Sequence, residues 1–275
     1  MKAEGAADCH LHIIDPVRFP FLPGVGYTPR PDESGTLRDL NAVLDAHGVA
    51  YALLVQPSCY GFDNSAMIEA MNAQPGRFKA IAVISGSESD RELQELAERG
   101  VVGIRFNLVS FDRSALIGAE AVRLLERLKA FGWFAQVHAQ DSQWLEIAPV
   151  LRHSRVRVLV DHFGVRNLAG GLGAPGFQVV LNLGRTGTAV VKLSASFRVA
   201  SLPHRYAELD GHVEALVAAF GKERCIWGSD WPFLAMGGGI RYGDCLATLD
   251  RWFPDAGDRV KVLQRNPARL FGFRG

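Results

Sequence analysis

Short apolar runs alternate with segments of helical spacing along the whole 275-residue chain, and this alternation limits the fold more than any other feature. The apolar runs have the length expected of buried strands, whereas the segments between them keep the three- and four-residue spacing of helices. Eight strands are predicted, at residues 6–14, 49–56, 78–84, 101–107, 133–138, 156–162, 188–195 and 224–230. Eight strand–helix units in succession predict an α/β protein with a (β/α)8 barrel, the TIM-barrel fold.

The barrel is expected to form one domain over residues 1–275. Closed barrels of about 250 residues form single domains, and the chain has neither a linker nor a change of composition. A hydrophobic content of 48% allows a large core. Residues 89–100 and 120–132 are the clearest amphipathic outer helices, and residues 259–273 predict a closing helix that is interrupted at Pro267.

Charge and hydropathy exclude several classes of function. Thirty Lys and Arg against 29 Asp and Glu give a net charge of +1, which removes any sequence-wide attraction for nucleic acid or an anionic membrane. No apolar run approaches the ~20 residues that cross a bilayer, and the first ten residues lack the apolar core of a signal peptide. The four cysteines show no metal-binding or disulfide spacing. We therefore expect a cytoplasmic protein that acts on a small molecule, and we leave a homodimer open.

The first predicted strand contains two histidines two residues apart, in the stretch DCHLH. Residues i and i+2 of a strand project from the same face, so His10 and His12 should lie side by side while Cys9 and Leu11 point the other way. Two such imidazoles can hold a metal ion or a substrate.

Polar side chains gather where the other predicted strands end, which is where barrel enzymes carry their chemistry. Four histidines and an aspartate fall at the mouths of strands one, five, six and eight, although the chain has only eight histidines. We therefore predict that they converge on one site. The residues at the strand ends are His10, His12, Ser58, Tyr60, Arg105, Asn107, His138, Asp161, His162, Ser194, Arg198 and Asp230.

Three of these segments, DCHLH, VDHFG and IWGSDWP, resemble signatures of the amidohydrolase superfamily, in particular its amidohydrolase-2 group. The resemblance extends over nearly the whole chain, to the final RNPARLFGF. More narrowly, VQPSCYGFDN, GIRFN and VDHFG are similar to the 2-pyrone-4,6-dicarboxylate lactonase family and to its relatives that act on sugar lactones and muconolactones.

The resemblance implies roles for several of these strand-end residues and for two loop residues. Asp230 would be the general base that takes a proton from the attacking water, and His162, with His10 and His12, would surround the scissile carbonyl. Arg105 and Arg198 would clamp substrate carboxylates. Weaker candidates for substrate binding are Arg113, Asn107, Ser58, Tyr60 and Tyr27.

The residue types suit that chemistry. Opening a lactone needs a base to deprotonate water, together with hydrogen-bond donors or a cation to stabilise the tetrahedral oxyanion. The planar guanidinium of arginine binds a carboxylate through two hydrogen bonds, which lysine does less well. Two arginines at one site of a nearly neutral protein therefore indicate an acidic substrate.

The metal content is left open between no cofactor and one divalent ion, with zinc the first candidate. Dinuclear amidohydrolases bridge two ions with a modified lysine at the end of strand four, but that strand ends here in RFN. His10, His12, His138 and Asp230 would supply a mononuclear zinc site. The metal-free pyrone-dicarboxylate lactonases depart from a histidine at the strand-five position, whereas this chain has His138.

The leading hypothesis is a hydrolase that opens a small carboxylated lactone during aromatic catabolism. A zinc-dependent decarboxylase of the same superfamily would use the same ligands, with His162 as acid and base. A lactone isomerase would abstract a proton with water excluded. A binding barrel without activity is the remaining alternative, and the presence of Asp230 speaks against it.

Overall fold

We describe residues 5–24, 27–109, 116–202 and 205–273 of the computed structural model. Eight parallel strands follow one another around a barrel in chain order, and each lies within its predicted range, which confirms the (β/α)8 fold. The strands are β1 (Ala7–Leu11), β2 (Tyr51–Val55), β3 (Phe78–Ala82), β4 (Val101–Asn107), β5 (Phe134–His138), β6 (Arg157–Val160), β7 (Ala189–Ser194) and β8 (Cys225–Gly228).

Helices cover the outside of the barrel. They are α1 (Leu37–Ala46), α2 (Ser65–Ala73), α3 (Asp90–Glu98), α4 (Gly118–Ala130), α5 (Asp141–Ser154), α6 (Pro175–Arg185), α7 (Ser196–Val199), α8 (Asp210–Phe220), α9 (Tyr242–Trp252), α10 (Ala256–Val260) and α11 (Asn266–Phe271). Helix α3 begins where the sequence predicts, because Ser89 and Glu92 form a capping box that satisfies free backbone N–H groups. None of the described helices is long and apolar enough to cross a membrane.

The closing helix is interrupted just before the predicted position. A π-helical turn, Lys261–Arg265, joins α10 to α11, and Pro267 lies in the first turn of α11. Proline has no backbone N–H to donate, and a helix tolerates this in its first turn because the N–H groups there have no partner within the helix. A new helix therefore begins at Pro267, and the irregular turn lies before it.

Two apolar layers hold the barrel together, one between strands and helices and one inside the sheet. Phe271 and Phe273 pack with the inner layer. Cys9 also belongs to this layer, so the prediction that it points to the opposite side from His10 and His12 is wrong. The β1–β2 register shifts between Asp8 and Leu11, which breaks the strict alternation of side chains there.

The barrel closes where β1 meets the end of β8. The N–H of Asp230 donates to the carbonyl of His10 at 2.7 Å, and the N–H of His12 donates to the carbonyl of Trp231 at 2.9 Å. Gly228 makes this approach feasible, because a Cβ there would lie 2.7 Å from the Cβ of His10.

A buried carboxylate on β1 also stabilises this junction between β1 and the end of β8, here called the seam. Asp8 Oδ1 accepts the N–H groups of His10 and Ser229, both at 3.0 Å, and Oδ2 accepts the Tyr242 hydroxyl at 2.9 Å. Burial raises the pKa of Asp8 to about 6, although these hydrogen bonds oppose the rise. The seam thus positions the residues that begin and end the barrel.

Candidate active site

The two β1 histidines and Asp230 meet at the C-terminal mouth of the barrel, as the sequence predicts. Asp230 follows β8 by two residues and has a left-handed backbone, with φ of 65°. Its Oδ1 lies 3.3 Å from His12 Nε2 and 3.6 Å from His10 Nε2. All three side chains are buried.

Asp230 is held as an anion by Arg198, which follows β7. The Arg198 Nε donates to Asp230 Oδ2 at 2.5 Å. Burial alone would raise the pKa of Asp230, but the charge of Arg198 and the hydrogen bond with His12 hold it well below its usual range. The carboxylate is therefore unprotonated at neutral pH and can accept a proton.

A backbone carbonyl fixes the hydrogen of His12. The Nδ1 of His12 lies 2.8 Å from the carbonyl oxygen of Val55. That oxygen can only accept, so Nδ1 carries a hydrogen, and the ring is oriented with Nε2 facing Asp230 Oδ1.

His10 contacts a buried charged network on its other side. Its Nδ1 lies 3.3 Å from Lys192 Nζ and 3.2 Å from Asp161 Oδ1. Lys192 Nζ donates to Gln136 Oε1 at 2.7 Å, and Gln136 Nε2 donates to Asp161 Oδ2 at 2.9 Å. Burial lowers the pKa of His10 to about 3, against the charge of Asp161, so the ring is neutral.

Two more histidines line the mouth beside this group. His162 Nδ1 lies 2.9 Å from the Ser194 hydroxyl oxygen, and the His162 ring centroid is 4.5 Å from that of His10. The His138 ring is 4.9 Å from that of His162, and neither His138 nitrogen has a hydrogen-bond partner among the described residues. Burial, then the charge of Arg105, lowers the pKa of His138 to about 3, so this imidazole is neutral.

Arg105 points from β4 into the same space. Its Nη1 donates to the carbonyl oxygen of Gln56 at 3.0 Å, and its Nε lies 3.7 Å from Asp161 Oδ2. The side chain is buried, and burial lowers its pKa from the usual value. A buried guanidinium that retains free N–H groups is suited to bind a substrate anion.

Sequence reasoning missed a third arginine, Arg166, in the loop that follows β6. Among the described residues it has no hydrogen bond or ion pair, and it lines a cavity of about 440 Å³ with Gln140, Ser142 and Asn167. Burial and the charge of Arg198 lower its pKa. The available signal was its position four residues after His162.

The weaker substrate-binding candidates are mostly engaged with protein groups. Ser58 Oγ accepts a hydrogen bond from Asn107 at 3.0 Å. The Tyr60 hydroxyl accepts the N–H of Asp15 at 2.9 Å. The Tyr27 hydroxyl donates to Glu33, a carboxylate that also accepts the N–H of Ala235 at 2.7 Å. The predicted residue Arg113 lies outside the described residues.

The His and Asp side chains form two groups of potential metal ligands, whose atoms lie within 4.8 Å of one another. One comprises His10, His12 and Asp230, and the other His10, Asp161 and His162. The first fits one divalent ion by donor type, and His10 Nε2 is buried there without a hydrogen-bond partner. His138, the fourth predicted ligand, lies outside both groups.

A buried cluster of histidines and aspartates at the C-terminal mouth of a (β/α)8 barrel is the arrangement of a barrel enzyme. The amidohydrolase family model matches residues 7–273, so the chain belongs to the amidohydrolase family. The resemblance predicted from the strand-end motifs is confirmed.

Named relatives cover nearly the whole chain. It is 30% identical to a 4-sulfomuconolactone hydrolase of Rhizobium radiobacter over 98% of this chain and 90% of the relative. It is 28% identical to a 2-pyrone-4,6-dicarboxylate hydrolase of Comamonas testosteroni, over 97% and 90%. A crystal structure of a probable 2-pyrone-4,6-dicarboxylic acid hydrolase of Acinetobacter baumannii, with citric acid bound, superposes with a TM-score of 0.88 at 28% identity. That superposition covers 98% of this chain and all of the other.

Proposed function

We propose that the protein is a hydrolase that opens the ring of a small carboxylated lactone by attack of water. The observation that carries the proposal is the anionic, buried carboxylate of Asp230 at the barrel mouth, facing two imidazoles and paired with an arginine. The similarity to proteins named as lactone hydrolases supports it.

In this reaction Asp230 acts as the general base. Its Oδ1 takes a proton from a water molecule as the water oxygen attacks the lactone carbonyl. The ring C–O bond of the resulting tetrahedral intermediate then breaks, and the proton passes to the departing oxygen. His162, His10 and the unpartnered imidazole of His138 line the place where the oxyanion forms and can donate hydrogen bonds to it.

Three arginines bind and orient the acid groups of the substrate. Arg105 and Arg166 retain N–H groups that no described protein acceptor uses, and Arg198 reaches the mouth from α7. A substrate carboxylate that draws Arg198 away from Asp230 raises the pKa of that base, which makes it a better proton acceptor at the moment of binding.

The cofactor is either absent or one divalent ion, and zinc suits a site of nitrogen and carboxylate ligands. When bound by His10, His12 and Asp230, such an ion supplies a Lewis acid for the carbonyl and lowers the pKa of its water. The proposed ion pairs between the substrate carboxylates and the arginines form without such an ion.

The proposal is tested with a panel of lactones and aromatic acids incubated with the purified protein. We expect ring opening of a carboxylated lactone in ¹⁸O-labelled water to place one label in the acid product. Release of carbon dioxide alone would show a decarboxylase and overturn the proposal. Conversion of a lactone to an unlabelled lactone isomer would overturn it in favour of an isomerase.

A further inference from the structure

The segment that begins with Asp230 has an unusual backbone. Asp230, Phe233 and Ala235 have φ angles of 65°, 65° and 61°, although none of them is glycine. A left-handed backbone is unfavourable for a residue with a side chain. Residues keep such a conformation only where the surrounding structure holds them in it. The contacts of residues 230–235 therefore show what keeps the proposed base in place.

Two of these three residues are held by groups close to the site. The N–H of Asp230 donates to the carbonyl of His10 at 2.7 Å, and the N–H of Phe233 donates to the carbonyl of Asp230 at 3.0 Å. The Phe233 ring also packs edge-on against that of Phe197, with centroids 5.4 Å apart. Phe197 directly precedes Arg198 in α7. The turn 230–235 therefore links Asp230 to the helix that carries its arginine partner.

The third residue, Ala235, is held by a side chain from the loop that follows β1. The N–H of Ala235 donates to Glu33 Oε1 at 2.7 Å. Glu33 is buried and ends the 3₁₀ turn Pro31–Glu33. In the part of the chain that the structure describes, no backbone N–H of residues 236–240 has an acceptor. Ala235 therefore carries the last fixed N–H before the glycines at 237–239.

Further hydrogen bonds hold the Glu33 carboxylate itself. Its Oε2 accepts the Tyr27 hydroxyl and, at 2.9 Å, the backbone N–H of Arg30, while Oε1 lies 3.2 Å from Arg30 Nη2. Burial alone would raise the pKa of Glu33, but these hydrogen bonds and that from Ala235 keep it below its usual value. Glu33 is therefore an anion at neutral pH, and hydrogen bonds to an anion are stronger than those to a neutral acceptor.

We propose that Glu33 is a positioning residue that pins the turn 230–235 through its hydrogen bond with Ala235 and so keeps Asp230 beside Arg198. Without this hydrogen bond, Ala235 can leave the left-handed conformation. The change then passes along the short turn to Phe233 and Asp230. A displacement of about 1 Å can cost about 10²-fold in rate. This consequence for catalysis rests on the proposed hydrolysis, whereas the pinning of the turn does not.

Hydrogen exchange measures the pinning without substrate. In the wild-type protein, amide exchange followed by NMR should give Ala235 a protection factor at least about tenfold above those of Gly237 and Gly238. Equal protection of the three amides would overturn the proposal, and this comparison stands even where a Glu33 variant fails to fold. In Glu33→Ala we expect the protection of Ala235 to fall to that of the two glycines. Unchanged protection there would also overturn the proposal.

Steady-state kinetics with a carboxylated lactone gives the second readout. Glu33→Ala should lower kcat by about tenfold or more and leave KM within about threefold, because Arg105 and Arg166 lie on other segments. Asp32→Ala is the matched control. It removes the neighbouring carboxylate, which is exposed and pairs with the Arg30 side chain, and it should retain the wild-type kcat.

A wild-type kcat in Glu33→Ala would overturn the proposal, as would a loss confined to KM or an equal loss of kcat in Asp32→Ala. The two proposals fail separately. Failure of the wild-type protein to open any lactone would refute the hydrolase and leave the role of Glu33 to the exchange measurement. A hydrolase whose Ala235 amide exchanges as fast as the glycines would keep its function and lose this positioning residue.

Discussion

Replacing Asp230 by asparagine tests the general base directly. The amide keeps the shape of the carboxylate, and its oxygen can still accept the hydrogen bond that Arg198 makes at 2.5 Å. It has no basic lone pair for a proton from water. Asp161, the nearby buried carboxylate, lies beneath the mouth and is engaged by Gln136 and Lys192. No other described carboxylate is therefore placed to substitute.

Because no other described carboxylate can act as the base, the whole contribution of Asp230 to the rate should be lost. A positioned general base contributes about 10²–10⁴ in rate, which corresponds to about 2.7–5.4 kcal/mol of activation free energy. We expect Asp230→Asn to lower kcat by at least about 10²-fold. KM for a dicarboxylated lactone should change little, because Arg105 and Arg166 keep their hydrogens.

The assay follows the ultraviolet absorbance of a pyrone dicarboxylate at saturating concentration, with circular dichroism to verify the fold. Asp15→Asn is the matched control. Asp15 is buried like Asp230, but its carboxylate accepts the backbone N–H of Arg18 and belongs to no proposed catalytic group. The control should retain wild-type kcat. An Asp230→Asn rate within a few-fold of wild type would refute the role of Asp230 as base.

Three further changes probe the arginines and the seam. In Arg198→Met the pKa of Asp230 should rise, because its nearest cation is lost. As the pH is lowered, kcat/KM should therefore begin to fall at a higher pH than in wild type. An acidic limb of the pH profile at the wild-type position would contradict this. Arg166→Met should raise KM for a dicarboxylate by about tenfold or more, the worth of one charge-assisted hydrogen bond, with kcat nearly constant. An unchanged KM would remove Arg166 from the site. Gly228→Ala should lower stability by about 1–3 kcal/mol and displace His10, visible together as a lower Tm and a lower kcat. A wild-type Tm would count against the close contact.

The strand ends were predictable because each strand carries its own local pattern. Short apolar runs locate β1 and β8, and barrel geometry then brings His10, His12 and Asp230 together at the mouth. The position of Arg105 at the mouth was predictable in the same way, because it stands near the end of β4, while its role in substrate binding stays a prediction. These inferences need only the period of the sequence and one fold rule.

What the sequence could not show depends on contacts between distant segments. Cys9 joins the inner layer because the β1–β2 register shifts, and nothing in the spacing of β1 signals that shift. Arg166 lies in a loop without periodicity. Lys192 stands within an apolar run and reads as barrel filling, since only the fold reveals that its ammonium meets Gln136 and His10.

The seam at which Asp230 N–H binds the His10 carbonyl has a consequence for the newly synthesised protein. A ribosome produces both imidazoles of β1 before the carboxylate, which follows more than two hundred residues later. A chain that stops before β8 therefore carries the histidines but lacks the proposed base beside them. Under the proposed mechanism, hydrolysis can begin only after β8 has joined β1, which ties the onset of catalysis to completion of the barrel.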